Sequence, residues 1–229
     1  MIKVLKKEQM GNSDLGWLKS RFHFSFAEYR NPQNVNFGVL RVLNDDLIAP
    51  HSGFDTHPHE NMEIISYIVD GAITHKDSMG NAEELSRGEV QYMSAGDGVL
   101  HSEHNMGDEM LRLLQIWIYP PQKGLARLYG SHRYTKEQRD NKLLCIVGKG
   151  SPVQIHQDVR IFVCELDESR HIEHSVKSSR QIYFVLIEGS ASVNGEMLEY
   201  GDACEITDES LLSIKAKEKS HFLFIEMGD

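Results

Sequence analysis

Two stretches of this chain carry the same punctuation in the same order, and any fold has to accommodate that duplication. In Ile65 to Met93 an apolar run ends at Asp70-Gly71, and Leu85-x-x-Gly88-Glu89 then leads into a second apolar run. In Ile182 to Ile206 the matching signals are Glu188-Gly189 and Leu198-x-x-Gly201-Asp202. Acidic-glycine steps between short apolar runs are hairpin signals, so each copy reads as a tight antiparallel meander. Ser78-Met79-Gly80-Asn81 is a further turn in the first copy, and Asn194-Gly195 is its shorter counterpart in the second. The expected fold is all-β, with two small antiparallel β-barrels in tandem. The charged, turn-rich Arg127 to Lys142 separates them into an N-terminal domain over residues 1–135 and a C-terminal domain over residues 136–229.

The rest of the chain fits this frame. Strands are predicted at Ile2 to Leu5 and at Phe22-His23-Phe24-Ser25-Phe26, whose three phenylalanines would share one face as core or as an apolar cavity wall. Phe37 to Leu43 alternates like a strand before Asn44-Asp45-Asp46, read as a turn. Leu111 to Tyr119 is strongly apolar and stops at Pro120-Pro121, because proline cannot donate to a ladder. At 229 residues and 40% apolar content the chain can bury an ample core. It lacks a signal-peptide stretch and any apolar run of membrane-spanning length, which predicts a cytoplasmic protein with no membrane partner. Cys145, Cys164 and Cys204 sit in apolar settings and read as reduced core thiols. Acidic residues outnumber basic ones 34 to 24, for a net charge of -10 that opposes direct binding to nucleic acid.

The chemistry lies between Gly53 and Asn105. His57-Pro58-His59 and His101-Ser102-Glu103 both read as strands, and residues two apart on a strand face the same way. Each phrase therefore offers two potential ligands on one face, and the meander between them brings the phrases together. Three imidazoles and one carboxylate suit one divalent first-row metal per chain: iron(II) first, with nickel, cobalt, manganese, copper and zinc chemically open. Four protein ligands leave an octahedral ion two positions for a substrate oxygen, dioxygen or water. Strand parity alone would also allow Glu63 as the carboxylate. Counting from the matched glycines puts Ser175, Lys177 and Gln181 where the first copy has His57, His59 and Glu63, and Ile214 and Ala216 where it has His101 and Glu103. The second barrel is thus predicted to lack a metal site, and His171 and His174 read as surface histidines.

His57-x-His59-x-x-x-Glu63 followed by Gly71, and Gly88 followed by His101-x-x-x-Asn105, resemble the two motifs of the cupin superfamily, and the duplication resembles a bicupin. More narrowly, Phe22 to Ala27, Thr56 to His59, Met62-Glu63-Ile64, His75-x-Asp77-Ser78-x-Gly80, Met93 to Gly96 and His101 to Glu103 resemble the pirin family across the first half. That resemblance implies His57, His59, His101 and Glu103 as the metal ligands, where most cupins use the glutamate of the first motif. Ser94, where proline is usual, and a longer approach to His101 depart from the general cupin pattern. Members resembling this chain act as flavonol 2,3-dioxygenases that open quercetin with O2 and release CO. The resemblance therefore implies a small aromatic substrate, with Glu103 as both ligand and catalytic base. Other members are regulatory binding proteins with a protein partner, and other cupins act on sugars and small acids.

Overall fold

The computed structural model of the protein describes residues 1–228. The chain opens with β1 (Ile2–Leu5), followed by β2 (Gly11–Asp14), β3 (Leu18–Phe22), β4 (Leu40–Ile48), β5 (Ser52–His59), β6 (Glu63–Asp70), β7 (Ala72–Asp77), β8 (Ala82–Ser86), β9 (Val90–Ser94), β10 (Val99–Asn105), β11 (Leu111–Ile118) and β12 (Leu128–His132). After the one-turn helix α1 (Lys136–Arg139) come β13 (Leu144–Val147), β14 (Val159–Leu166), β15 (His171–Ser175), β16 (Arg180–Glu188) and β17 (Ser190–Val193). The last strands are β18 (Glu196–Glu199), β19 (Ala203–Ile206), β20 (Leu211–Ala216) and β21 (Ser220–Gly228). Every ladder between named strands is antiparallel, as expected of two cupin-type barrels. No helix among the described residues is long and apolar enough to cross a membrane.

One unit comprises Gly11–Tyr134 with Ile155–Gln157, and its sheets run β12-β9-β6-β11-β4-β3-β2 and β5-β10-β7-β8. The other comprises Met1–Met10, Thr135–Gln154 and the chain from Asp158, with sheets β1-β19-β16-β21-β14-β13 and β15-β20-β17-β18. Apart from β2, which has no counterpart, the two strand orders correspond position by position, and β1 pairs with β19 where β12 pairs with β9. A domain starting at residue 1 therefore differs from the observed unit. Ile2 and Val4 give the reason, since both pack on the C-terminal core. Gly71 and Gly189 hold matching corners with φ of 73° and 80°, a conformation that excludes most side chains.

Two local expectations are overturned. The strand expected through Phe26 ends at Phe22, so the phenylalanines do not share one face: Phe22 and Phe26 line a cavity that Phe24 does not reach. Asn44-Asp45-Asp46, read as a turn, lies in the middle of β4. Its polarity is used on both faces of the strand. Asp45 takes two hydrogen bonds from Arg112, at 2.8 and 2.7 Å, while Asn44 and Asp46 line the cavity.

Candidate metal centre

The N-terminal unit sets its ligand-type side chains on the β5-β10 ladder. His101 lies opposite His57, and Val99 lies opposite His59. Pro58 is tolerated in a strand because β5 is the edge of its sheet. Between His101 and Glu103 the register shifts, with three residues of β5 passing two of β10. At this bulge the Asp55 carbonyl oxygen lies 2.7 Å from His57 Nδ1. A proton on Nδ1 donates to that oxygen and leaves the Nε2 lone pair free, the tautomer a metal-binding imidazole needs.

The structure brings His57, His59 and His101 together, with ring centroids 4.5 to 4.9 Å apart and ligand atoms within 4.8 Å of one another. His101 is only 1% exposed, yet neither ring nitrogen has a hydrogen-bond partner. A buried nitrogen with no partner is costly, and a divalent ion facing the three rings would relieve that cost. Burial, helped by His57 and His75 and opposed by Asp77, pulls His101 down to about 3. Burial, with His101 and His57 and against Glu103, pulls His59 down to about 4. Both rings are therefore neutral at pH 7, as ligands must be. The donor set fits a borderline first-row ion.

Glu103, also 1% exposed, faces the same cavity. Ser66 Oγ donates to one carboxylate oxygen at 2.8 Å and Gln115 Nε2 to the other at 2.7 Å. Each oxygen keeps a further lone pair for a metal or a proton. Glu63 has a different environment. It is buried, does not line the cavity, and accepts hydrogen bonds from Tyr92 Oη at 2.7 Å and from the backbone N–H groups of His156 at 2.7 Å and Gln157 at 3.0 Å. Parity counted from His59 fails at Glu63 because Glu60 to Met62 lie outside any strand, between β5 and β6, and these strands belong to different sheets. His75 is the functional-looking neighbour that the site reading left aside. It is fully buried opposite Glu103, its Nε2 lies 3.1 Å from Asp77 Oδ2, and its ligand atom is within 4.8 Å of those of His101 and Glu103.

The cavity beside these residues holds about 410 Å³. Trp17, Phe22, Phe26, Phe54 and Trp117 supply its aromatic walls. Two interior rows of the large sheet can be read from the ladders: Ser66, Gln115, Asn44 and Phe22, then Ile68, Leu113, Asp46 and Ser20. Asn44 and Asp46 are among the cavity residues that sequence reading missed, because an Asn-Asp-Asp run is indistinguishable from turn composition.

Ladder partners also correct the counting between copies. Glu103 lies opposite His75, four residues after Gly71, and Ile214 lies opposite Val193, four after Gly189. Ile214 thus corresponds to Glu103 and Leu212 to His101, two residues earlier than counting from Gly201 gives. His174, opposite Leu212, takes the place of His57. It is not a surface residue: its side chain is 14% exposed and its Nε2 lies 2.6 Å from the buried Glu226. Burial pushes Glu226 up, but hydrogen bonds from His174 and Arg160 outweigh it and hold the carboxyl at about 2. In place of Ser66, Gln115 and Asn44 the second barrel has Phe184, Phe224 and Phe162, and the Phe162 and Phe224 rings stack at 4.9 Å.

Comparison with known proteins supplies the family. The pirin family profile matches residues 4–118, and that of the quercetinase C-terminal cupin domain matches residues 145–227. The chain belongs to the pirin family. A pirin-like protein of Caulobacter vibrioides is 40% identical over 96% of both chains. A protein of Escherichia coli strain K12 named quercetin 2,3-dioxygenase is 36% identical over 99% of both chains. The crystal structure of the bacterial pirin YhhW from Escherichia coli in complex with nickel(II) is 35% identical, covers 100% of this chain and 99% of that one, and has a TM-score of 0.93.

Proposed function

We propose that this pirin is a metal-dependent dioxygenase that opens a flavonol such as quercetin with O2 and releases CO. The observation that carries this reading is the convergence of three histidines and a buried carboxylate on one aromatic-walled cavity of about 410 Å³, within the range that takes drug-sized ligands. His57, His59, His101 and Glu103 would hold one divalent ion, with iron(II) or nickel(II) as the leading choices. The ion supplies Lewis acidity that eases loss of the flavonol hydroxyl proton. Glu103 receives that proton, and its hydrogen bonds from Ser66 and Gln115 keep the carboxylate aimed at the cavity. Trp17, Phe22 and Phe54 flank the flat ligand and keep water away from it. The nickel-bound relative and the relative named quercetin 2,3-dioxygenase support the same reading.

The test is oxygen uptake and CO release with quercetin by metal-reconstituted protein. One CO per O2 consumed is expected, with activity falling at least about a hundredfold in Glu103→Gln, the scale of a lost general base. Binding of quercetin without oxygen uptake under any divalent metal would sink the dioxygenase reading and favour a binding protein.

A further inference from the structure

The polar residues of β4 are built into the cavity at a cost that the proposed chemistry does not explain. Asn44 and Asp46 are each 3% exposed, and both line the cavity. The Oδ1 atoms of both have no hydrogen-bond partner. Asp45, between them on the opposite face, is engaged by Arg112 at 2.7 Å and Arg21 at 3.5 Å. A buried acceptor with no partner is unfavourable unless a ligand completes it. The second barrel shows what packing alone selects, since the counterparts there are Phe162 and Cys164, both buried.

The pair also lies at a useful distance. Asn44 is opposite Gln115, which donates to Glu103, so it stands one strand further across the sheet from the carboxylate. Strands are spaced at about 4.8 Å, which puts the β4 pair roughly 5 to 10 Å from the proposed reacting end of a ligand. Asn44 Oδ1 accepts a hydrogen bond. Ser20 donates to the Asp46 carboxyl, while burial, with Asp45 and Glu103, raises that group to about 7. Asp46 is thus able to donate as well as accept, and a phenolic hydroxyl both donates and accepts.

We propose that Asn44 and Asp46 form a hydroxyl-recognition subsite that selects polyhydroxylated aromatic ligands, holding a phenolic hydroxyl remote from the oxygen at the metal centre. This inference rests on the flavonol reading above. A site built to pair a hydroxyl discriminates against the analogue that lacks it, because its own buried groups are then left unpaired.

The test compares quercetin with 3-hydroxyflavone, which keeps the metal-facing hydroxyl and lacks the others. Binding is read under anaerobic conditions, on nickel(II)-loaded protein, by quenching of Trp17 and Trp117, the two tryptophans of the chain and both cavity-lining. Quercetin should bind at least about tenfold more tightly than 3-hydroxyflavone, the scale of one good hydrogen bond. That ratio should fall towards one in Asn44→Leu and Asp46→Leu. Should a leucine variant fail to fold, Asn44→Ala and Asp46→Ala, which only remove atoms and leave no side-chain donor or acceptor, replace it, with a reduced ratio again expected. A wild-type ratio near one, or a ratio unchanged in folded variants, would overturn the subsite while quercetin oxidation still stood. If neither flavonol binds the wild type, the subsite and the flavonol reading are overturned together.

Discussion

Glu103 and Glu63 are both buried glutamates, but their partners divide their roles. Glu103 is held by two side-chain donors beside the histidines, whereas Glu63 is consumed by a tyrosine hydroxyl and two backbone N–H groups. Glu103→Ala should lower bound metal and abolish flavonol oxidation. Glu63→Gln should instead leave one backbone N–H facing an amide NH2 and destabilise the fold by about 1–3 kcal/mol while keeping full metal occupancy. Metal analysis and denaturant titration of the two variants separate these outcomes, and the reverse ranking would make Glu63 the ligand. The histidines were legible in the sequence because strand alternation pairs residues two apart. Glu63 against Glu103 was not, because parity does not survive the break at Glu60 to Met62. Asn44 and Asp46 were hidden for another reason: cavity-lining polar residues on a strand have the composition of a turn.

At the scale of elements the site depends on how closely β5 approaches β10. A Cβ at Gly53 would fall within contact distance of the Glu103 carbonyl oxygen and of His104 Cα, both backbone atoms. Gly53→Ala must therefore push the strands apart. We expect a loss of about 1–3 kcal/mol in stability, as for other overpacked sites. We also expect a clear drop in metal affinity, although no ligand is changed. Isothermal titration with nickel(II) checks this, and an unaltered affinity would show that the ladder spacing does not control the site. The hairpin corners were readable from the paired glycines, and with them the repeat. Its register was off by two residues, since the chain from Gly201 to Leu212 is two residues shorter than that from Gly88 to His101, and counting forward ignores which residues face each other.

For the whole molecule, duplication has produced one barrel with a cavity and one with a filled interior. Phe162, Phe184 and Phe224 replace the polar row of the first barrel, and the buried Glu226 is engaged by Arg160, His174 and Arg180. The Glu226 carboxyl is held at about 2, below its ordinary 4.5, so its contribution to stability is complete above about pH 4.5 and is lost as pH falls towards 2. Urea titrations across that window should show a steeper loss in the wild type than in Glu226→Gln, which starts less stable at neutral pH. Equal slopes would remove Glu226 from the acid response. The asymmetry between the barrels also predicts the metal count, and the decisive measurement is nickel or iron bound per chain after reconstitution and desalting, in the wild type and in a His57→Ala, His101→Ala double variant. One equivalent is expected in the wild type and close to none in the folded double variant. Two equivalents in the wild type, or one retained in the double variant, would contradict a single metal site in the first barrel.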